Sequence, residues 1–145
     1  IDLTDENLDF SKYEMTFIWN TSYEFKNINH LWPKKSEELA SFLRESNVYI
    51  TASINDPCSN SLIEALHCGL PSIWLNSWWH PEIISKWWWV FNEDKDIVVL
   101  LNDIRENYNK YCSNIRMNTM RETSFEYYNF MSNICEDNHK WLKVI

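Results

Sequence analysis

Hydrophobic positions along the chain follow two rhythms. Short runs of β-branched and aromatic residues bounded by polar ones predict strands at "YEMTFIW" (Tyr13–Trp19), "NINHL" (Asn27–Leu31), "NVYITAS" (47–53) and "PSIWLN" (71–76). Between them the apolar spacing changes to three and four. Leu39, Ala40, Phe42 and Leu43 share a helical face behind a start signal at Ser36 and Glu38, just after Pro33. "SNSLIEALHCGLP" predicts a second helix, with Ser59 or Asn60 as cap, Leu62, Ile63 and Leu66 as its face, and Gly69 and Pro71 as its stop. Pro81 suits the first turn of a short helix through Ser85. From Asp94 the spacing is helical through Ile97, Leu100, Leu101, Ile104, Tyr108 and Tyr111, and a last helix is predicted over 123–138. Residues 1–12 are acidic and aperiodic.

Strands alternating with helices over short links require parallel strands joined by crossover helices. The expected fold is α/β, a Rossmann-like doubly wound parallel sheet with flanking helices. A single domain of 145 residues is expected, with the core over 13–104 and C-terminal helices over 105–145. Such folds bind ligands at the carboxyl ends of their strands. The segment standing there is "SINDPCSNSLIEAL", residues 53–66.

Charge narrows the ligand. A net charge of −8 argues against a nucleic-acid surface and mildly against adhesion to anionic lipid. No apolar run is long enough to span a bilayer, and no signal-peptide pattern opens the chain. Cys58, Cys68, Cys112 and Cys135 show no CxxC spacing and no metal-like offset to a histidine, so no metal site is expected. They read as reduced thiols of a cytoplasmic protein. The sequon "NTS" at Asn20 is too short a match to carry weight.

The chemistry concentrates in residues 53–66. A helix starting near Ser59 presents N–H groups and the positive end of its dipole, an anion seat. Small residues Ser59, Asn60 and Ser61 let a phosphate approach the backbone. Asp56 precedes the helix and Glu64 lies about a turn into it. Two carboxylates beside an anion seat repel a bare phosphate, but suit sugar hydroxyls on either side of one. On spacing alone, Asp56 reads equally well as a turn or cap residue and Glu64 as a solvated helix residue.

"DPCSNSLIEALHCGLPSI", followed by "NSWWHPEII", resembles the donor-binding half of retaining GT-B glycosyltransferases, in particular the GT4-like group (glycosyl transferases group 1). That group carries two acidic residues separated by seven others in a segment of the type E-G-F-G-x-x-x-x-E-A-x-x-x-G-x-P. Asp56 and Glu64 fall on the acidic positions, and Ala65, Gly69 and Pro71 keep the register. "FNEDKDIVVLLNDI" matches the stretch where a short Phe-containing loop leads into a helix, and the resemblance runs over about Thr16 to Ile104. It implies transfer of a hexosyl unit from a nucleotide sugar, with retention at the anomeric carbon and without a cofactor or metal. Asp56 would then hydrogen-bond hydroxyls of the donor hexose, Glu64 would hold the ribose, and the backbone of Cys58, Ser59, Asn60 and Ser61 would line the pyrophosphate. Trp78, Trp79 and His80 stand on the loop that faces donor and acceptor in this group, although His80 also reads as an ordinary loop residue.

The departures from the pattern are equally informative. The first acidic position is usually Glu, and Asp56 is one methylene shorter. The group pairs this half with an N-terminal half that binds the acceptor, a glycan, lipid or small molecule. It also carries a basic pair on the first loop of the nucleotide-binding half, and Lys34 and Lys35 are not at the matching place. The chain reads as starting after the first strand and helix of that half, so it is expected to be inactive alone, in the cytoplasm or peripheral to the inner face of a membrane.

Tryptophan and glycine are both out of proportion. The chain has nine tryptophans and one glycine, Gly69, where about seven per cent glycine is usual. The loop after "PSI" in the group has the form N-S-G-G-H-P-E, and a second glycine pair precedes the Phe-containing turn. Trp78 and Trp79 occupy the first pair, two of Trp87–Trp89 the second, and Trp19 and Trp32 also stand where glycine is expected. These six read as replacements of a glycine pattern. A sugar-stacking platform or a self-association surface are the other readings of exposed tryptophan, and a non-catalytic carbohydrate- or protein-binding module is the alternative function. His30, His67 and His139 share no spacing with one another or with His80. The aromatic stripe of Tyr108, Tyr111, Phe125, Tyr127, Tyr128 and Phe130 reads as core or interdomain packing.

Overall fold

The computed structural model describes residues 8–54, 59–76 and 89–141, with the backbone alone for Asp94 and 136–141. Asp56, Cys58, Trp78, Trp79, His80 and the short helix expected after Pro81 lie outside the described residues. The chain divides into two compact units, Ile1–Ile115 and Arg116–Ile145.

The first unit is α/β, and every described strand pairing is parallel. Strand β1 (Thr16–Ile18) pairs with β2 (Asn29–Leu31), Phe17 opposite His30. Helix α1 (Ser36–Glu45) follows, then β3 (Tyr49–Thr51), α2 (Asn60–His67), β4 (Ser72–Leu75), β5 (Val90–Phe91), α3 (Asp94–Glu106) and α4 (Tyr108–Asn114). Strands β3, β4 and β5 form a second sheet in that order, with Ile50 opposite Ile73 and Leu75 opposite Phe91. The Rossmann-like α/β expectation therefore holds, with the described strands standing in two parallel sheets.

Burial explains why β4 is central. Successive side chains of a strand point to opposite faces. Ile73 and Trp74 are consecutive, and at 0 % and 1 % exposure both faces of β4 are covered, as an inner parallel strand requires. Ile73 belongs to a core with Leu8, Trp89, Phe91, Ile97, Leu101 and Ile104. The last three are the apolar face of α3 foreseen from its spacing. Tyr108 and Tyr111 pack against this core from α4. A second cluster joins Leu43 of α1 to Ala65 and Leu70 around α2.

Local chemistry sets the ends of α2. Gly69 N–H bonds to Leu66 O at 2.9 Å and Leu70 N–H to Ala65 O at 3.1 Å, the paired pattern of a Schellman stop. Gly69 has φ +82°, and a Cβ there would meet nothing within 4 Å. Backbone conformation alone, without crowding, therefore asks for glycine.

Two expectations are corrected. Val90–Phe91 is a strand paired with Trp74–Leu75, where a loop was expected; two residues carry no legible period. The last helix, α5, runs Met120–Trp141 instead of 123–138. Thr119 N–H and Oγ1 both donate to Glu122, at 2.7 and 2.9 Å, and Glu122 N–H returns to Thr119 Oγ1 at 3.2 Å. That capping box, "TMRE", starts the helix three residues early. Of the aromatic stripe, Tyr108 and Tyr111 pack on the core, whereas Phe125, Tyr127, Tyr128 and Phe130 are 59–68 % exposed. Among the described residues of the second unit, α5 is the one regular element, and none other covers the last four.

Candidate functional site

Because β3, β4 and β5 are parallel, their carboxyl ends share one edge, and α2 starts from that edge. β3 ends at Thr51, whose buried Oγ1 donates to Ser53 Oγ at 3.1 Å and accepts Ser53 N–H at 3.3 Å. This tightens the chain as it leaves the sheet. When the described chain resumes, Ser59 caps α2 at zero exposure. Ile63 N–H bonds to Ser59 O at 3.0 Å, closing the first turn. The N–H groups of Ser61 and Leu62 come before that bond and carry the positive end of the helix.

Ser59 departs from ordinary capping. Its Oγ makes no cap hydrogen bond and has no partner among the described residues, although it is fully buried. A buried hydroxyl without a partner is costly, about 1–3 kcal/mol, and such groups mark places where function competes with stability. Ser61 is fixed from the sheet, since Tyr49 Oη donates to Ser61 Oγ at 2.7 Å.

Helix α2 divides its faces cleanly. Leu62, Ala65 and Leu66 are buried, while Asn60, Ser61, Glu64 and His67 are exposed. Spacings of three and four place Ser61 and Asn60 beside Glu64 on that open face. The structure thus groups Ser59, Asn60, Ser61 and Glu64 within the first two turns of one helix at the carboxyl edge. His67 is at the far end of the same helix, an ordinary exposed helix residue. His30 accepts a structural role instead, its Nε2 lying 2.8 Å from Trp19 O. Lys34 and Lys35 are exposed ahead of α1.

Two further polar residues at this edge were not singled out from the sequence. Asn76 directly follows β4 and Asn92 directly follows β5, and Asn76 Nδ2 donates to Asn92 Oδ1 at 2.9 Å. Asn76 N–H also donates to Phe91 O at 2.9 Å. Their signal was positional only: an amide immediately after each of two strand-forming runs. Next to Asn92, Asp96 accepts the N–H groups of Asn92 and Glu93, both at 3.1 Å, and these bonds hold its carboxyl below the usual range. This fixes the start of α3 against the end of β5.

Among the described residues no group of three His, Cys, Asp or Glu side chains converges as a metal site would. A shallow depression of ≈ 500 Å³ on α5, lined by Arg121, Glu122, Ser124 and Phe125, lies on one turn of a single helix. It lacks the convergent polar groups of a binding cleft.

A parallel α/β layer with a small-residue helix start at its carboxyl edge, and Glu64 about a turn further along, has the arrangement in which open α/β sheets receive ligands. Residues 19–121 match the family model described as "Glycosyl transferases group 1". The chain belongs to that family, and the chemistry of its class is glycosyl transfer by a GT-B domain. Comparison with curated proteins and with solved structures gave no significant match. Among the described residues no helix is long and apolar enough to cross a membrane.

Proposed function

We propose that the chain is the C-terminal, donor-binding half of a retaining group 1 glycosyltransferase of the GT4-like kind, taking a hexosyl unit from a nucleotide sugar. The observation that carries this reading is the placement of Ser59, Asn60, Ser61 and Glu64 together on α2 at the carboxyl edge of β3 and β4. The helix start seats the diphosphate, where its N–H groups are aimed at charge that grows as the glycosidic bond breaks. Preorganised donors of this type stabilise a departing anion without reorganising. Cys58, through its backbone, completes the seat. Glu64, one turn further along the open face, accepts hydroxyls of the ribose, and Asp56 holds the hexose on the other side of the diphosphate. Trp78, Trp79 and His80, on the segment after β4, face the reacting end of the donor. Transfer to a glycan or lipid acceptor requires the acceptor-binding half with which this group pairs such a domain, and the setting we propose is cytoplasmic.

Titration calorimetry with UDP and with GDP tests the assignment. One of the two binds saturably, and Glu64→Ala weakens that binding by about tenfold, the value of one charge-assisted hydrogen bond. Equal affinity of the variant and the parent, or no binding of either nucleotide, would overturn the proposal.

A further inference from the structure

Donor binding leaves one feature of the chain unexplained, its nine tryptophans beside a single glycine. Together the two residue types fill ten of 145 positions, the share that glycine alone takes in an ordinary chain, about seven per cent. The structure leaves two of these tryptophans largely in water and a third with an unmatched donor, although the Trp32 ring lies 5.6 Å from that of His30. Trp19 and Trp32 each follow the last residue of a strand, β1 and β2, and leave 63 % and 68 % of their surface in water. Trp74 is buried in the central strand, yet its Nε1 donor has no acceptor among the described residues. A buried indole usually satisfies that donor. Trp78, Trp79, Trp87 and Trp88 occur in tandem on the segment joining β4 to β5. Strand exits and connecting loops are where chains place glycine, because it alone enters left-handed turns without strain. Trp89 is different: its ring is buried edge-on against Tyr111, centroids 4.2 Å apart, so its indole is used.

A single codon connects the two residues. UGA, a stop signal in the standard code, is decoded as tryptophan in some translation systems and as glycine in others, according to the tRNA that reads it. We infer that UGA encodes positions 19, 32, 74, 78, 79, 87 and 88 of this chain, and that the source cell inserts glycine at each. The chain made there carries N-S-G-G-H after β4, and glycine is the residue that lets a backbone approach a phosphate or sugar closely. The inference rests on the register of the family pattern at six of these positions and on the environments of Trp19, Trp32 and Trp74. It does not depend on nucleotide binding.

Peptide mass spectrometry of the full chain purified from its source cell tests it, together with the codons of the messenger. The expected result is UGA at the seven positions, with each peptide that spans one lighter by an indole side chain for every position it contains. Peptides with tryptophan masses there, or UGG codons, would overturn the inference whatever a nucleotide titration shows.

Discussion

Asn76 Nδ2 donates to Asn92 Oδ1 across 2.9 Å and so ties the carboxyl end of β4 to that of its parallel neighbour β5. The bond joins the residues that leave the two strands, Asn76 after β4 and Asn92 after β5 on the way to α3. It stands on the same edge as the start of α2, which is the edge where open parallel sheets receive ligands. Both amides are exposed, so the bond adds little stability, about 0.5–1 kcal/mol. Asn76→Ala and Asn92→Ala are therefore expected to lower the urea midpoint slightly and by similar amounts. The double variant should do no more harm than either single one, since the partners share one interaction. A double-mutant cycle in urea checks this; additive losses would show that the two residues act separately.

Gly69 makes the firmest stability prediction. Its φ of +82° lies in the left-handed region, and an added Cβ would touch nothing. Gly69→Ala should then cost about 1–2 kcal/mol through backbone strain alone. Gly69→Asn should cost clearly less, because asparagine tolerates that conformation. Denaturant melts of both variants separate strain from packing; equal losses would mean that crowding decides the position.

Tyr111 gives a prediction at alkaline pH. Its Oη donates to Asp103 Oδ2 at 2.6 Å, and this bond raises its pKa, with burial adding to the effect. A group whose pKa rises on folding contributes stability that is complete below its unfolded value, near 10, and is lost as pH climbs through the folded value. Thermal melts should fall above pH 10 more steeply for the parent than for Tyr111→Phe. The variant itself should be less stable at neutral pH by about 1.5 kcal/mol, the low end for a hydrogen bond to a charged partner. Parallel curves for the two proteins would remove Tyr111 as the titrating group.

Asp96 works in the opposite direction. The N–H groups of Glu93 and Asn92 hold its carboxylate, and its pKa is lowered from 3.8. Stability from such a group is present above its unfolded pKa and disappears as pH falls through the lower folded value. Asp96→Ala should flatten the acid limb of the melting curve between pH 4 and lower pH, while Asp96→Asn keeps part of the acceptor but loses the titration. An unchanged acid limb in Asp96→Ala would assign acid unfolding elsewhere.

Much of the fold was legible because its signals are local. β-branched runs placed four of the five described strands, and three-and-four spacing placed α1, α2 and α3. The Gly69 stop could be read from "HCGLP" because a left-handed residue favours one amino acid. β5 was not legible, since a two-residue strand is defined by its pairing with Trp74–Leu75 and by no pattern of its own. The start of α5 was legible but passed over; "TMRE" is a capping box in which Thr119 and Glu122 satisfy each other. Leu8 joins the core from an acidic, aperiodic stretch, a purely tertiary contact. At the candidate site, the start of α2 followed from spacing, whereas Glu64 was marked only by the resemblance to the group 1 pattern. Asn76 and Asn92 become neighbours only when β4 and β5 pair, so a separation of sixteen positions hid them.

The central claim is that the carboxyl edge around α2 binds the nucleotide sugar. An NMR titration of the isotope-labelled chain with UDP and GDP sugars tests it most directly, because each amide reports its own environment. The account predicts saturating shifts at Ser59, Asn60, Ser61 and Glu64, with smaller ones at Asn76 and Asn92, while Gly69 and Leu70 at the other end of α2 stay still. Shifts confined to other surfaces, such as the exposed aromatic residues of α5, or none at all, would contradict it.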